Sequence, residues 1–162
     1  MNSMHFYTEH NQLSLRVTEA GKLQFCYLGP RLLCADDALA APAAEWPLAA
    51  TDFDSRGQWG NHSGEYALHL RYADGTQGCD LVLLQHEPTG NGAVFTLGDT
   101  RHPELVVHLQ LCLYPAEDTI TLRPTITNKG EGSITLLRAD SAALPLRAQE
   151  YHLSSFRGGW SG

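Results

Sequence analysis

The segment Leu105–Leu137, which reads LVVHLQLCLYPAEDTITLRPTITNKGEGSITLL, decides the fold. From 105 to 113 apolar residues occupy every second position, and the alternation returns around Pro124 and again after Gly130. A period of two places successive side chains on opposite faces of an extended strand. Pro115–Asp118 and Asn128–Gly130 separate the three runs, and both contain residues that favour tight turns. The segment therefore predicts three strands of one antiparallel meander, on which the rest of the chain packs.

The remainder of the chain carries the same alternation in shorter runs. Turn-forming Gly, Pro, Asn and Asp residues separate these runs at intervals of roughly 8 to 12 residues. No run shows the 3.6-residue repeat of a long amphipathic helix. Many short strands between turns predict an all-β fold, an antiparallel β-sandwich. The additional predicted strands cover 13–17, 23–27, 67–72, 81–84, 93–97, 142–146 and 151–153, with a further short piece at 31–34.

Residues 35–64 differ from the rest of the chain in composition and in hydrophobic pattern. They read ADDALAAPAAEWPLAATDFDSRGQWGNHSG and show no sustained period. The alanines favour a helix over Asp36 to Ala44, but Pro42 limits that helix to about one turn. Loops of this length in compact domains are often functional. We therefore expect one long surface loop over 35–64, within a single domain that occupies 1–162.

Composition argues against several functional classes. The chain has 162 residues, of which 43% are hydrophobic and 18% charged, as is typical of one globular domain. Its formal net charge is −7 with only 11 Lys and Arg residues, so nucleic acid and anionic membranes are not expected partners. We find no secretory leader pattern and no apolar run of about 18 residues. A cytoplasmic protein is the expectation.

The four cysteines form no Cys-x-x-Cys pair. Cys26 and Cys112 fall within strand-like runs, and we expect buried free thiols rather than metal ligands or disulfide partners. The eight histidines lack the close pairs that metal sites show. His69 and His108 are expected on exposed sides of strands. No metal and no other cofactor is therefore expected.

Two kinds of side chain could serve carbohydrate chemistry. Glycoside hydrolysis requires two carboxylates about 5 to 10 Å apart, and Asp52 and Asp54 would share one face of an extended strand. Solvated loop carboxylates are the more common outcome of such spacing. Trp46, Trp59 and Trp160 are of the type that stacks on the apolar faces of sugars. No nucleophile, base and oxyanion set can be assembled from the chain.

Several short motifs occur in a recognisable order. Tyr114-Pro115 forms an aromatic-Pro turn, Asn128-Lys129-Gly130 ends the next strand, and Leu136–Ala139 reads Leu-Leu-Arg-Ala. Gly158-Gly159-Trp160 follows, and Glu45-Trp46-Pro47 lies upstream. With these motifs the chain resembles the N-terminal domain of glycoside hydrolase family 36 α-galactosidases.

The resemblance implies a β-supersandwich of the galactose-mutarotase-like type, present here as an incomplete N-terminal portion. In the family a (β/α)8 barrel follows this domain and supplies both catalytic aspartates of a retaining mechanism. One of these lies in a Lys-Trp-Asp motif, and this chain contains no Lys-Trp. By resemblance the chain has no catalytic residue and is inactive alone. It is expected to pack on the barrel and to contribute to a homo-oligomer. The full-length enzyme is expected to act on α-galactoside substrates.

The resemblance also implies that a loop of this domain reaches the sugar near a Gly-Asp-Phe-Arg or Thr-Asp-Phe-Arg motif. Thr51–Phe53 matches those letters, but Asp54 stands where the family has Arg. Gly60–Ser63 lies at the place in the chain where the family has this motif, but its residues differ from the motif. The candidate substrate-binding residues are Asp52, Trp59 and Asn61.

Two other functions stay open at this stage. The first is a free-standing carbohydrate-binding β-sandwich that uses Trp46, Trp59 or Trp160 as a stacking platform. The second is a small β enzyme with mutarotase-like acid–base chemistry from a histidine and a carboxylate.

Overall fold

The computed structural model describes residues 2–40, 44–45 and 67–140. Almost all regular structure in these ranges is β-strand, with one five-residue 3-10 helix at Ala35–Leu39. The strands are β1 (Asn2–Tyr7), β2 (Asn11–Val17), β3 (Leu23–Pro30), β4 (Ala44–Glu45), β5 (Leu68–Tyr72), β6 (Leu81–Thr89), β7 (Gly92–Asp99), β8 (Leu105–Tyr114), β9 (Thr119–Asn128) and β10 (Ile134–Ala139).

The described strands form three antiparallel sheets. Two are four-stranded, in the orders β1-β2-β3-β4 and β6-β7-β8-β9, and the third pairs β10 with β5. One core lies between them, and all three sheets contribute to it, for example through Leu15 of β2, Leu70 of β5 and Leu109 of β8. Phe6 of β1 meets Phe95 of β7 edge to face, with ring centroids 6.2 Å apart. The predicted all-β antiparallel sandwich is confirmed.

The alternation of β8 shows why this sequence builds a sandwich. Leu105, Val107, Leu109 and Leu111 are all 0% exposed, whereas Gln110 between them is exposed on the opposite face. Burying one such aliphatic side chain stabilises the fold by roughly 1.5 to 3 kcal/mol relative to leaving it in water. A strand with this pattern therefore has one face that must be covered by another layer.

Most of the predicted strands are present. The runs at 13–17, 23–27, 81–84, 93–97 and 120–126 lie within β2, β3, β6, β7 and β9, and β5 takes all but the first residue of 67–72. The predicted piece at 31–34 is wrong, because β3 ends at Pro30 and no strand follows before the 3-10 helix. The 3-10 helix lies where a single helical turn was expected before Pro42, whereas Ala44–Glu45, expected within the long loop, form β4 and pair with β3. The runs at 142–146 and 151–153, and most of 35–64, lie outside the described residues.

The predicted meander is wrong at its third strand. β8 and β9 pair as expected, but β10 pairs with β5 in another sheet. The turn after β9 explains the difference. Lys129 N–H donates to Glu104 O at 2.8 Å, which continues the β8 pairing, and Asn128 Nδ2 donates to Gly132 O at 2.7 Å. These bonds lead the chain out of the sheet instead of folding it back along β9.

Of the four strand side chains whose burial was predicted, only Cys26 lies as expected. Cys26 is buried and free, whereas Cys112 is free and half-buried because it points to the face of β8 opposite the core. His69 and His108 are half-buried rather than exposed.

Candidate functional site

The predicted substrate-binding residues Asp52, Trp59 and Asn61 lie outside the described residues, as do Trp46 and Trp160. The structure therefore neither brings them together nor separates them. Within the described ranges the polar groups of interest form three clusters, centred on buried or clamped side chains of the sandwich. Sequence reasoning assigned none of these clusters.

The first cluster surrounds Asp99, the last residue of β7, which is only 5% exposed. Its carboxylate accepts a hydrogen bond of 2.7 Å from the Tyr72 hydroxyl. It also accepts backbone N–H groups from Asp80 at 3.1 Å, Arg101 at 2.8 Å and His102 at 3.3 Å. A carboxylate offers about four acceptor positions, so these donors occupy the whole group. Asp99 therefore cross-links the sandwich and is not poised to receive a substrate.

Tyr72 and Cys79 beside this carboxylate are held in their protonated forms. Burial is the main cause that raises the pKa of the Tyr72 phenol, and the hydrogen bond to Asp99 raises it further. Burial raises the pKa of the Cys79 thiol to about 12, with a further contribution from the Asp99 charge. The His102 ring stacks on the Tyr72 ring with centroids 3.5 Å apart. Neither group can act as a base or a nucleophile near neutral pH.

Asp80 extends the cluster to the turn between β2 and β3. Its carboxylate pairs with the Lys22 ammonium and accepts the Thr100 hydroxyl at 2.7 Å. Burial raises the pKa of Asp80, but the hydrogen bonds from Lys22 and Thr100 outweigh it and lower that pKa below its ordinary value. The ion pair joins the first four-stranded sheet to the start of β6.

The second cluster is built on Asp118, in the turn between β8 and β9. Its φ of +51° is a left-handed conformation that Asp tolerates better than most residues. The carboxylate accepts the Thr8 hydroxyl, the His10 N–H at 3.0 Å and Asn11 Nδ2 at 2.8 Å. The Thr8 and His10 hydrogen bonds lower its pKa. One carboxylate thus ties the β8–β9 turn to the β1–β2 turn.

The third cluster contains a serine, a histidine and an aspartate in contact. His5 Nδ1 lies 2.9 Å from Ser14 Oγ, and His5 Nε2 lies 3.8 Å from Asp36 Oδ1. Ser14 is fully buried and already accepts Gln12 Nε2 at 2.8 Å, so no substrate can reach its hydroxyl. Gln12 Oε1 in turn accepts Leu32 N–H at 3.1 Å. The cluster holds the segment before the 3-10 helix on the outer face of the sheet and is not a catalytic triad.

Within 2–40, 44–45 and 67–140, no three His, Cys, Asp or Glu side chains are arranged to hold a metal ion. None of the helical structure in those ranges is long and apolar enough to cross a membrane.

The fold and its clusters define an antiparallel β-sandwich domain whose strands and turns are cross-linked by hydrogen-bonded carboxylates. The sequence model of the glycosyl hydrolase family 36 N-terminal domain matches residues 21–162. The chain therefore belongs to this family. The resemblance inferred from the turn motifs is confirmed.

Solved structures share the fold. A Geobacillus stearothermophilus family 36 α-galactosidase variant, in complex with raffinose, matches with a TM-score of 0.65 and 20% identity, over 85% of this chain and 24% of its own. The α-galactosidase from Lactobacillus brevis matches with a TM-score of 0.64 and 17% identity, over 85% of this chain and 23% of its own. The galactosidase domain of an α-galactosidase–sucrose kinase matches with a TM-score of 0.63 and 18% identity. The match covers 85% of this chain and 23% of that domain's chain.

The match to these structures covers about a quarter of their length. At such identities the likeness establishes the fold. A comparison with curated proteins gives no match.

Proposed function

We propose that this chain is the N-terminal β-domain portion of a family 36 α-galactosidase and contributes no catalytic group to it. The parent enzyme would hydrolyse terminal α-galactosides. The family match over residues 21–162 carries the proposal, and the fold shared with α-galactosidases over 85% of the chain supports it. Because those enzymes extend well beyond the matched part, a catalytic barrel would come from the remaining polypeptide.

Three of the described carboxylates support the non-catalytic role. A retaining glycosidase needs one free carboxylate as nucleophile and a second as acid–base, both facing a cleft that the sugar can enter. Asp99 is buried and accepts four hydrogen bonds, Asp80 is paired with Lys22, and Asp118 is clamped by the β1–β2 turn. Each of these groups serves the sandwich itself.

We propose further that the domain packs on the barrel and takes part in a homo-oligomer. Support comes from apolar side chains that the described structure leaves exposed. Leu136 is 50% exposed and Leu137 is 48% exposed, on neighbouring positions of β10. The β10–β5 register shifts between Leu136 and Arg138, so strict alternation is broken at Leu137, and the two leucines offer apolar surface that a covering partner would bury. We also propose a cytoplasmic location for the enzyme.

Asp52, Trp59 and Asn61 are proposed to contact the sugar from the loop 35–64. In the enzyme that carries this domain, Trp59→Ala and Asn61→Ala should raise KM and leave kcat nearly unchanged. That pattern reports binding that substrate and transition state share. Leu33→Ala, at an exposed position of the described structure, is the matched control. Unchanged KM in both loop variants would refute this contribution.

A direct assay tests the non-catalytic role. The purified 162-residue chain should release no nitrophenol from a 4-nitrophenyl α-galactoside. Turnover by the pure chain would contradict the proposal, because it would require a complete catalytic pair within these residues. Galactose binding with tryptophan quenching that Trp59→Ala abolishes would instead support a free-standing carbohydrate-binding module.

A further inference from the structure

Both outer strands of the sheet β6-β7-β8-β9 contain a proline, Pro88 on β6 and Pro124 on β9. A proline has no N–H to donate, so its effect depends on the direction in which its nitrogen points. In an antiparallel pair, opposed residues alternate between hydrogen-bonded and non-hydrogen-bonded pairs. A residue in a non-hydrogen-bonded pair directs its backbone groups away from the neighbouring strand. The register therefore decides where each proline points.

Pro124 faces the edge of β9 with which no other described strand pairs. Lys129 N–H donates to Glu104 O at 2.8 Å, so these opposed residues form a hydrogen-bonded pair. The β8–β9 register runs without a shift, and Pro124 lies opposite Leu109. That pair is an odd number of positions from Lys129 and Glu104, which makes it non-hydrogen-bonded. The nitrogen and carbonyl of Pro124 therefore point away from β8.

Pro88 faces the outer edge of β6, with which no strand in 2–40, 44–45 or 67–140 pairs, by the same reasoning. Leu113 N–H donates to Asn91 O at 2.6 Å, and the β7–β8 register continues from there without a shift. Ala93, two residues after Asn91, therefore directs its backbone groups to β8. Its partner on the other side is Pro88, in a non-hydrogen-bonded pair. Pro88 thus also points outward.

The first half of the β6 edge is covered in a different way. Leu83 N–H donates to Gly21 O at 2.8 Å, and Lys22 Nζ donates to Leu81 O at 3.2 Å. Both contacts come from the turn between β2 and β3. The β6–β7 register shifts between Leu83 and Gln85. The β2–β3 turn covers the edge of β6 before this shift, and Pro88 interrupts the edge after it.

We propose that Pro88 and Pro124 close both edges of this sheet to strand addition, so that a second copy of the chain cannot extend it. A strand added at either edge would meet a pyrrolidine ring where it needs an N–H donor. β9 would otherwise offer an edge of ten residues with half-buried apolar side chains. Interfaces between copies must then use other surfaces. This inference does not depend on the proposed function.

Residue-resolved amide hydrogen exchange of the 162-residue chain tests the edge directly. The amides of Ile120, Leu122 and Ile126 face the edge, whereas those of Thr121 and Arg123 face β8. The first three should exchange on the order of tenfold faster or more, at low and high protein concentration alike. Protection of the edge-facing amides, or protection that grows with concentration, would overturn the proposal.

Substitutions provide the second test. Pro124→Val and Pro88→Val restore an outward N–H and should produce concentration-dependent association beyond that of the wild type in light scattering. Thr125→Val is the matched control, since it adds an apolar β-branched side chain on β9 but its N–H faces β8. Folding is checked by circular dichroism. Folded proline variants that scatter like the control at every concentration would refute the proposal, and if they fail to fold the exchange pattern decides it.

Discussion

The Tyr72 hydroxyl donates a hydrogen bond of 2.7 Å to the Asp99 carboxylate, and both side chains are almost fully buried. Tyr72 ends β5 and Asp99 ends β7, so one bond joins the two-stranded sheet to a four-stranded sheet. Three backbone N–H groups complete the acceptor positions of the carboxylate. A buried charge with this many donors is stabilising only while every donor stays in place.

Tyr72→Phe removes one of those donors and leaves the ring. We expect a loss of about 1.5 to 3 kcal/mol in the free energy of unfolding, the usual range for a hydrogen bond to a charged group. Chemical denaturation at neutral pH measures it. Tyr114→Phe, at a tyrosine that is 43% exposed, is the control and should change stability by less than about 0.5 kcal/mol. Equal stabilities of the two variants would show that Asp99 does not need the phenol.

Asp118→Asn should destabilise the protein in a pH-dependent way. The Thr8 and His10 hydrogen bonds hold the pKa of Asp118 below its ordinary 3.8 in the folded state. A depressed folded pKa contributes stability that is present above the unfolded pKa and is lost as pH falls through the folded pKa. The stability difference between wild type and Asp118→Asn should therefore be constant at neutral pH and shrink below 3.8.

Urea denaturation across this pH range measures the Asp118 contribution. Glu117→Gln is the matched control, because it removes a carboxylate from an exposed position of the same turn. A stability difference for Asp118→Asn that stays unchanged in acid would mean that the β1–β2 turn does not depend on the ionised carboxylate.

The cysteines should differ sharply in reactivity. Only the thiolate reacts with an alkylating reagent, and burial raises the pKa of Cys79 to about 12, whereas Cys34 is exposed. Iodoacetamide at mildly alkaline pH should modify Cys34 in the native protein and Cys79 only after unfolding. Peptide mass spectrometry after timed quenching follows both sites. Comparable native rates at the two thiols would contradict the buried environment of Cys79.

The sequence predicted individual strands well because period-two burial is a local property. β1 escaped detection because only two of its six residues, Met4 and Phe6, pack on the core, too few to reveal a period. The partner of β10 also escaped, since turn chemistry around Asn128 favoured a hairpin. A hairpin would have placed a strand on the edge of β9 where Pro124 offers no N–H.

The buried carboxylates could not have been inferred from local patterns. Asp99 reads as an ordinary turn residue in Gly-Asp-Thr, and the Tyr72 phenol that binds it is 27 residues away. Asp118 likewise meets its donors 107 to 110 residues distant along the chain. The family, in contrast, was accessible from the order of short turn motifs along the chain, and the family match over residues 21–162 confirms it. The proposed sugar contacts of Asp52, Trp59 and Asn61 remain predictions.

Immunodepletion tests the central claim most directly. Antibodies raised against this chain are used to clear an extract of cells that express it, and α-galactosidase activity is measured in the cleared extract and on the beads. We predict that the activity leaves the extract with a captured polypeptide several times longer than this chain. Capture of a 17.8 kDa polypeptide alone, with all α-galactosidase activity left behind, would contradict the assignment to the N-terminal portion of such an enzyme.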